Sequence, residues 1–261
     1  MCLILLAWRA HPDYPLVVAA NRDEFFARPT AAADFWADRP QVLAGRDLEG
    51  GGTWFGISRN GRFAALTNYR DPASVRQGAP SRGALVADFL TGNMSTEAYG
   101  DELERGDAAY NGYNLLWGDG ETLHYHSNCG AGSARLAPGI YGLSNHLLDT
   151  PWPKVARGKS RLAKALAALP DDRPLLGLLG DAAVADDAAL PRTGVSLEWE
   201  RLLSAAFVRS PAYGTRSSTV LTRDREGQVV FEEVQFDDRG EESGRHCHAF
   251  NCDDGVPASI G

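Results

Sequence analysis

With 34 acidic against 26 basic side chains in 261 residues and a net charge of -8, this chain lacks the surplus of Lys and Arg on which general phosphate-backbone binding relies, so nucleic acid is set aside as a partner. Its four cysteines, Cys2, Cys129, Cys247 and Cys252, show no C-x-x-C spacing, which argues against a disulfide framework or a zinc knuckle and fits a reducing compartment. No Pro/Ser/Gly-rich stretch divides the middle, leaving one domain over 1–251 and a small polar tail over 252–261 that reads as loose.

The first predicted element is the apolar run from Cys2 to Trp8. It lacks a basic leader, is far shorter than the ~20 residues of a membrane span, and meets Arg9-Ala10-His11-Pro12 at once; it predicts a buried strand in a cytoplasmic protein without stable membrane insertion. Cys2 carries a second meaning. Loss of Met1 would leave a thiol and a free α-amine on one residue, and because these titrate near ~8.5 and ~8 they could share a proton without a histidine. The plainer reading is a cysteine that opens a core strand.

After the turn-rich Arg9 to Pro15, the segment Leu16 to Arg22 completes a hairpin. If Trp8 pairs with Leu16, the antiparallel register puts Cys2 opposite Arg22 and next to Asn21, Asp23 and Glu24. A carboxylate there could hold the Cys2 ammonium, and an arginine could lower the thiol pKa or bind an anion; a solvated loop with an ion pair is the plainer alternative. Thr53 to Ser58 and Phe63 to Asn68 flank Asn60-Gly61, a type I′ turn signal. With Arg59 opposite Arg62, Thr53 faces Asn68 and the Gly51-Gly52 pair lies at the same open end.

Ser81 is a candidate cap for a helix through Leu90, and Ser95 for one running toward Arg105. Strands are expected at 114–117, 122–125 and 139–143, the last ending at Ser144-Asn145. Helical patterning returns over 153–169, 181–189 and 196–207, and the chain finishes as strands over 215–222, 228–236 and 245–250. Strands, then helices, then strands predict an α+β layered protein with mainly antiparallel sheet.

Asn68 and Asn145, each closing an apolar strand, could donate amide N–H groups to an oxyanion, although turn capping is the commoner task of asparagine. Arg216 sits where a strand is expected to begin, and Gly51, Gly52 and Trp54 could wall a ligand site, weakly suggesting an apolar ligand. His246 and His248 would share one strand face and Cys247 the other, so no metal site is assigned. P-loop, dinucleotide, G-x-S-x-G, H-E-x-x-H and C-x-x-C-H patterns are absent.

Met1-Cys2-Leu3-Ile4, Asn21-Arg22-Asp23-Glu24, Gly51-Gly52-Thr53-Trp54-Phe55-Gly56, Leu66-Thr67-Asn68-Tyr69-Arg70, Gly142-Leu143-Ser144-Asn145, Pro151-Trp152-Pro153-Lys154 and Thr215-Arg216-Ser217 together resemble the NRDE family, also called the transport and Golgi organisation protein 2 family. The resemblance runs from Met1 to about Phe250. It implies an αββα sandwich similar to N-terminal nucleophile (Ntn) hydrolases, two antiparallel sheets between helical layers. By likeness to the penicillin V and bile salt hydrolases, it implies Cys2, Arg22, Asp23, Asn68, Asn145 and Arg216 as the catalytic set. Asn21, Glu24, Gly51, Gly52 and Trp54 are then candidates for substrate contact. The implied activity is hydrolysis of an amide or thioester of a small apolar acyl compound, with no cofactor required. The alternative is a non-catalytic carrier of haem or of lipid and acyl-CoA using the same cleft, haem then being transported ligand.

Overall fold

The computed structural model describes residues 2–252. Its first hairpin follows the apolar pattern: β1 (Cys2–Trp8) pairs antiparallel with β2 (Leu16–Phe25), Trp8 facing Leu16 and Cys2 facing Arg22. Both strands are apolar on both faces because both faces are covered. Leu3, Leu5 and Ala7 pack against helices, whereas Ile4, Leu6 and Trp8 pack against a second sheet.

Two strands that the sequence pattern did not announce follow, β3 (Thr30–Trp36) and β4 (Arg39–Asp47). Three consecutive alanines in β3 and Pro40 in β4 weaken the local strand signal, and β3 lies at a sheet edge, where tertiary pairing decides. Next come β5 (Phe55–Ser58) and β6 (Phe63–Asn68), paired with Phe55 opposite Ala65 and Ile57 opposite Phe63. This register lies one residue from the expected one. Ser58 N donates to Arg62 O and Gly61 N to Ser58 O, and Gly61 takes φ +80°, so the connection is a three-residue turn ending in a left-handed glycine. Thr53 therefore does not oppose Asn68; instead Leu66 N donates to Trp54 O.

Helix α1 (Gly83–Thr91) has Arg82 at its cap and no side-chain capping bond, in place of the expected Ser81 cap. Ser95 does cap α2 (Thr96–Gly106), its side chain accepting from Ala98 N. Strands β7 (Tyr113–Gly118), β8 (Leu123–Ser127), β9 (Ala134–Arg135) and β10 (Gly139–Leu143) precede α3 (Pro153–Ala165), which carries proline at its first position. A short α4 (Arg173–Leu179) was hidden by its own Pro174 and Gly177. Residues 181–189, expected helical, contain only the 3₁₀ turn Asp187–Ala189, and 196–207 contain only α5 (Leu197–Leu202). The chain closes with β11 (Tyr213–Arg223), β12 (Gln228–Phe236) and β13 (Glu242–Asn251). Of the tail expected to be loose, Cys252 is buried in the core and the remainder lies outside the described residues.

One sheet has the order β10-β1-β2-β11-β12-β13 and the other β3-β4-β5-β6-β7-β8-β9, all antiparallel. Between them lies a core built on Ile4, Leu6, Val18, Phe55, Phe63, Leu116 and Phe231. Leu162, Leu175 and Leu178 of α3 and α4 cover the outer face of the first sheet, while Val86, Phe89, Leu90 and Leu103 of α1 and α2 cover that of the second. The result is the four-layer αββα sandwich. Among the described residues, no helix is long and apolar enough to cross a membrane.

Phe231 of β12 stacks on Phe55 of β5 with ring centroids 5.3 Å apart, joining the two sheets at their common core. Phe231→Ala is expected to cost about 3–5 kcal/mol, seen as a lower urea midpoint at unchanged slope. A midpoint equal to that of the wild type would show that the sheets do not depend on this pair.

Candidate active site

Strand alternation places Arg22 and Asp23 on opposite faces of β2, and the cleft opens where β1 begins and β2 ends. Arg22 turns toward the second sheet. Its guanidinium donates to Thr30 Oγ1 at 3.1 Å and lies 4.1 Å from the Trp54 ring centroid, so this buried cation rests on an aromatic face. Asp23 turns toward the helices of the first sheet, 1% exposed, and its Oδ1 accepts from Thr215 Oγ1 at 2.7 Å. Tyr213 OH donates to the Asp23 carbonyl at 3.0 Å. Burial pushes the Asp23 carboxyl above its usual range, opposed first by the charge of Lys154.

Cys2 stands between these two residues at the open end of β1. Its thiol lines a cleft of about 350 Å³ together with Arg22, Asp23, Glu24, Trp54 and Asn68. Ser144 Oγ donates to the Cys2 carbonyl at 3.1 Å and fixes the strand end. Burial pushes the thiol pKa up, Asp23 adds to the rise and Arg22 opposes it. A thiol held in this way needs a base before it can attack, and among the described residues lining the cleft there is no histidine.

The far wall comes from segments with no role in the sequence reading. Arg28 is bound by Asp47 at 2.8 Å and by Glu49 at 3.3 Å. Arg82, at the start of α1, donates to Gly112 O at 3.0 Å, and burial lowers its pKa. Ser81 and Asn111 complete this side. The Gly51-Gly52 pair shapes the wall without lining it. Gly51 takes φ +74°, and a Cβ on Gly52 would fall 2.3 Å from the Gly83 carbonyl carbon, so the loop reaches α1 only through a glycine.

Four other residues singled out in the sequence need placing. Asn21 donates from Nδ2 to the carbonyls of Leu179 and Ala206 and accepts from Ser218 Oγ; it joins β2 to the helical layer. Asn145 is fully buried, and its Nδ2 donates to Asn68 O at 2.9 Å, so it braces Asn68 rather than facing the cleft. Arg216 is not at a strand start: it is the extra residue of a bulge inside β11, between Thr215 and Ser217. Its guanidinium donates to the carbonyls of Phe25, Phe26 and Arg28 and so secures the turn after β2. Glu24 does line the cleft, and its carboxylate accepts from Phe25 N.

Behind the cleft lie buried charges that sequence reasoning missed. Arg70 and Glu200 pair at 2.8 Å with side chains 3% and 4% exposed, and Glu200 also accepts from Thr193 N and Oγ1. Arg70 N donates to Asn145 O, tying this pair to the brace on Asn68. Lys154, second residue of α3, is 2% exposed. Arg70 and Lys154 stood inside motifs already noted, but nothing local shows that a surface-type residue is buried. The one usable signal was composition: the chain has only three lysines among its 26 basic residues.

A family model described as Transport and Golgi organisation 2 matches residues 1–238. The chain is 41% identical to the Transport and Golgi organization protein 2 homolog of Bos taurus, over 89% of this chain and 92% of that one. Identity to the Homo sapiens homolog is 39%, over 92% of this chain and 94% of that one. A solved structure of a mutant conjugated bile acid hydrolase from Clostridium perfringens shares the fold, with a TM-score of 0.50 at 9% identity over 98% of this chain and 94% of that one. Its αββα sandwich is the Ntn-hydrolase fold, and the chain belongs to the Transport and Golgi organisation 2 family.

Proposed function

We propose that the chain is an N-terminal cysteine hydrolase acting on the amide or thioester bond of a small acyl substrate. The observation that carries this is the placement of Cys2 in a cleft, opposite Arg22 in the ladder and beside the buried Asp23. Because burial holds the thiol protonated and the described lining offers no histidine, the α-amine exposed on Cys2 by loss of Met1 is the base.

In this mechanism the amine takes the thiol proton, and the thiolate attacks the carbonyl carbon. The developing oxyanion is stabilised by the Asn68 side-chain amide, which Asn145 holds in place through the Asn68 carbonyl. The ammonium returns its proton to the leaving amine or thiol as the carbon–leaving-group bond breaks. Water then cleaves the acyl-thioester and restores the thiol. Arg22 favours the thiolate, and Asp23 orients the ammonium. Arg216 acts at a distance by fixing the turn after β2. The charged wall of Arg28, Asp47 and Arg82 favours a substrate with a polar or ionised end over a wholly apolar one.

Intact mass of the purified protein is expected to lack Met1, and an acyl β-lactone probe is expected to label the wild type but not Cys2→Ala. Retained Met1 or equal labelling of the variant would sink the nucleophile; binding of the probe without covalent capture would favour a carrier that uses the same cleft. Once a turned-over acyl substrate is in hand, Asn68→Ala should lower kcat/KM by roughly 10²–10³-fold without changing the melting temperature. A loss below tenfold would move the oxyanion donor elsewhere.

A further inference from the structure

We propose that Thr67 is a positioning residue for the reaction: through its hydroxyl the second sheet holds the loop after β10, and through Ser144 that loop holds the carbonyl of Cys2. This role rests on the nucleophile reading above and deepens it. Cys2 belongs to one sheet and Asn68 to the other, and the reaction needs a fixed separation between them.

The sequence of β6 contains the device. Phe63 and Ala65 lie in the core between the sheets, so alternation turns Thr67 to the same inner face, where it is fully buried. Its ladder partner on β7 is Asn114, also fully buried and in line with the core residue Leu116. Two polar side chains thus end an apolar inner face, and buried polar groups persist where they are hydrogen-bonded. Tyr125 OH on β8 donates to Asn114 Oδ1 at 2.8 Å, Asn114 Nδ2 donates to Thr67 Oγ1 at 3.1 Å, and Thr67 Oγ1 donates to Ser144 O at 2.6 Å. Tyr125 OH in turn accepts from Leu148 N at 3.1 Å. The loop over 144–148 is therefore gripped at both ends by the inner face of the second sheet, although it continues β10 of the first.

That grip reaches the nucleophile because the ladder stops short of it. The pairing of β1 with β10 runs from Trp8 opposite Gly139 to Ile4 opposite Leu143 and ends two residues before Cys2. There the Ser144 hydroxyl takes over, donating to Cys2 O at 3.1 Å while lying 3.3 Å from Asn145 Oδ1, so that its single proton is shared between the two. Asn145 Nδ2 donates to Asn68 O at 2.9 Å. One loop thus touches the carbonyls of both the nucleophile and the oxyanion donor, and Thr67, the residue before Asn68, sets where that loop sits. Thr67 does not line the cleft. Its effect passes through position alone, with no charge and no contact to substrate.

The test compares labelling of the full chain by an acyl β-lactone probe, resolving the maximal rate constant kinact from the half-saturating concentration KI. Thr67→Val keeps the branched shape and deletes the hydroxyl. Its kinact should fall about 10–100-fold, the cost of misplacing reacting groups by about an ångström, with KI and the pH midpoint of labelling unchanged. Thr67→Ser, which keeps the hydroxyl, should label at close to the wild-type rate. Ser144→Ala should reproduce the loss, and adding Thr67→Val to it should slow labelling by far less than the product of the single effects, since both act through one contact. Phe231→Ala, destabilised in the core between the sheets, should keep the wild-type kinact below its melting temperature. A wild-type kinact in folded Thr67→Val or in Ser144→Ala overturns the inference, as does an equal loss in Thr67→Ser or in Phe231→Ala. Should Thr67→Val not fold, Ser144→Ala decides in the same terms. Absence of labelling in the wild type overturns the nucleophile reading instead.

Discussion

A strand buried on both faces carries two adjacent buried charged residues near its end, and much of the site is the means by which those charges are kept. Arg22 and Asp23 cannot share a partner, because β-alternation sends them to opposite faces of β2. Arg22 is accommodated between the sheets by Thr30 and the Trp54 ring. Asp23 is accommodated on the helical side by Thr215, whose hydroxyl donates to its carboxylate. Each face thus draws on a different layer of the sandwich, and Cys2, directly across the ladder from Arg22, lies at the meeting point of the two environments.

The same division explains the second set of buried charges. Arg70 and Glu200 neutralise each other close to Asp23 and Lys154, and Arg70 N also holds the Asn145 carbonyl. Asn145 in turn holds Asn68. A chain of hydrogen bonds therefore runs from α5 through two loop segments to the candidate oxyanion donor. Breaking a buried pair by removing one partner typically costs about 3–5 kcal/mol, so a substitution at Arg70 would act on stability and on the position of Asn68 together. Activity alone could not separate these effects.

Periodicity made the strands and their layers legible wherever the pattern was strong. Cys2 to Trp8 and Leu16 to Arg22 gave both the hairpin and its register, because an uninterrupted apolar run fixes pairing once the turn is bounded by Pro12 and Pro15. The Asn60-Gly61 signal marked a real turn but not its length, and one residue of turn displaced the whole register of β5 on β6. β3, β4 and α4 were hidden because alanine, proline and glycine carry weak local preference and their pairing is set by neighbours distant in sequence. In the site, residues on the first hairpin could be placed from sequence, since one register relates them. Asn145, Arg216 and Lys154 could not, because their orientation depends on a turn, a bulge and a helix end that only the folded chain defines.

The cleft wall shows the converse, a backbone demand with a sequence signature whose purpose is visible only in three dimensions. The Gly51-Gly52 pair looked like a surface offered to ligand, yet its task is approach. Gly52 brings the loop against Gly83 at the start of α1, and Thr53 N donates to Gly83 O at 3.2 Å. A side chain at position 52 would push α1 and the loop apart. Because Arg82 precedes Gly83 while Trp54 follows the loop, that separation would widen the cleft between its cationic wall and the aromatic face under Arg22. The glycine therefore sets how closely the loop approaches α1; under the proposed hydrolase reading, the charged wall selects which end of a substrate is accommodated, and the two buried faces of β2 govern the reactivity of Cys2.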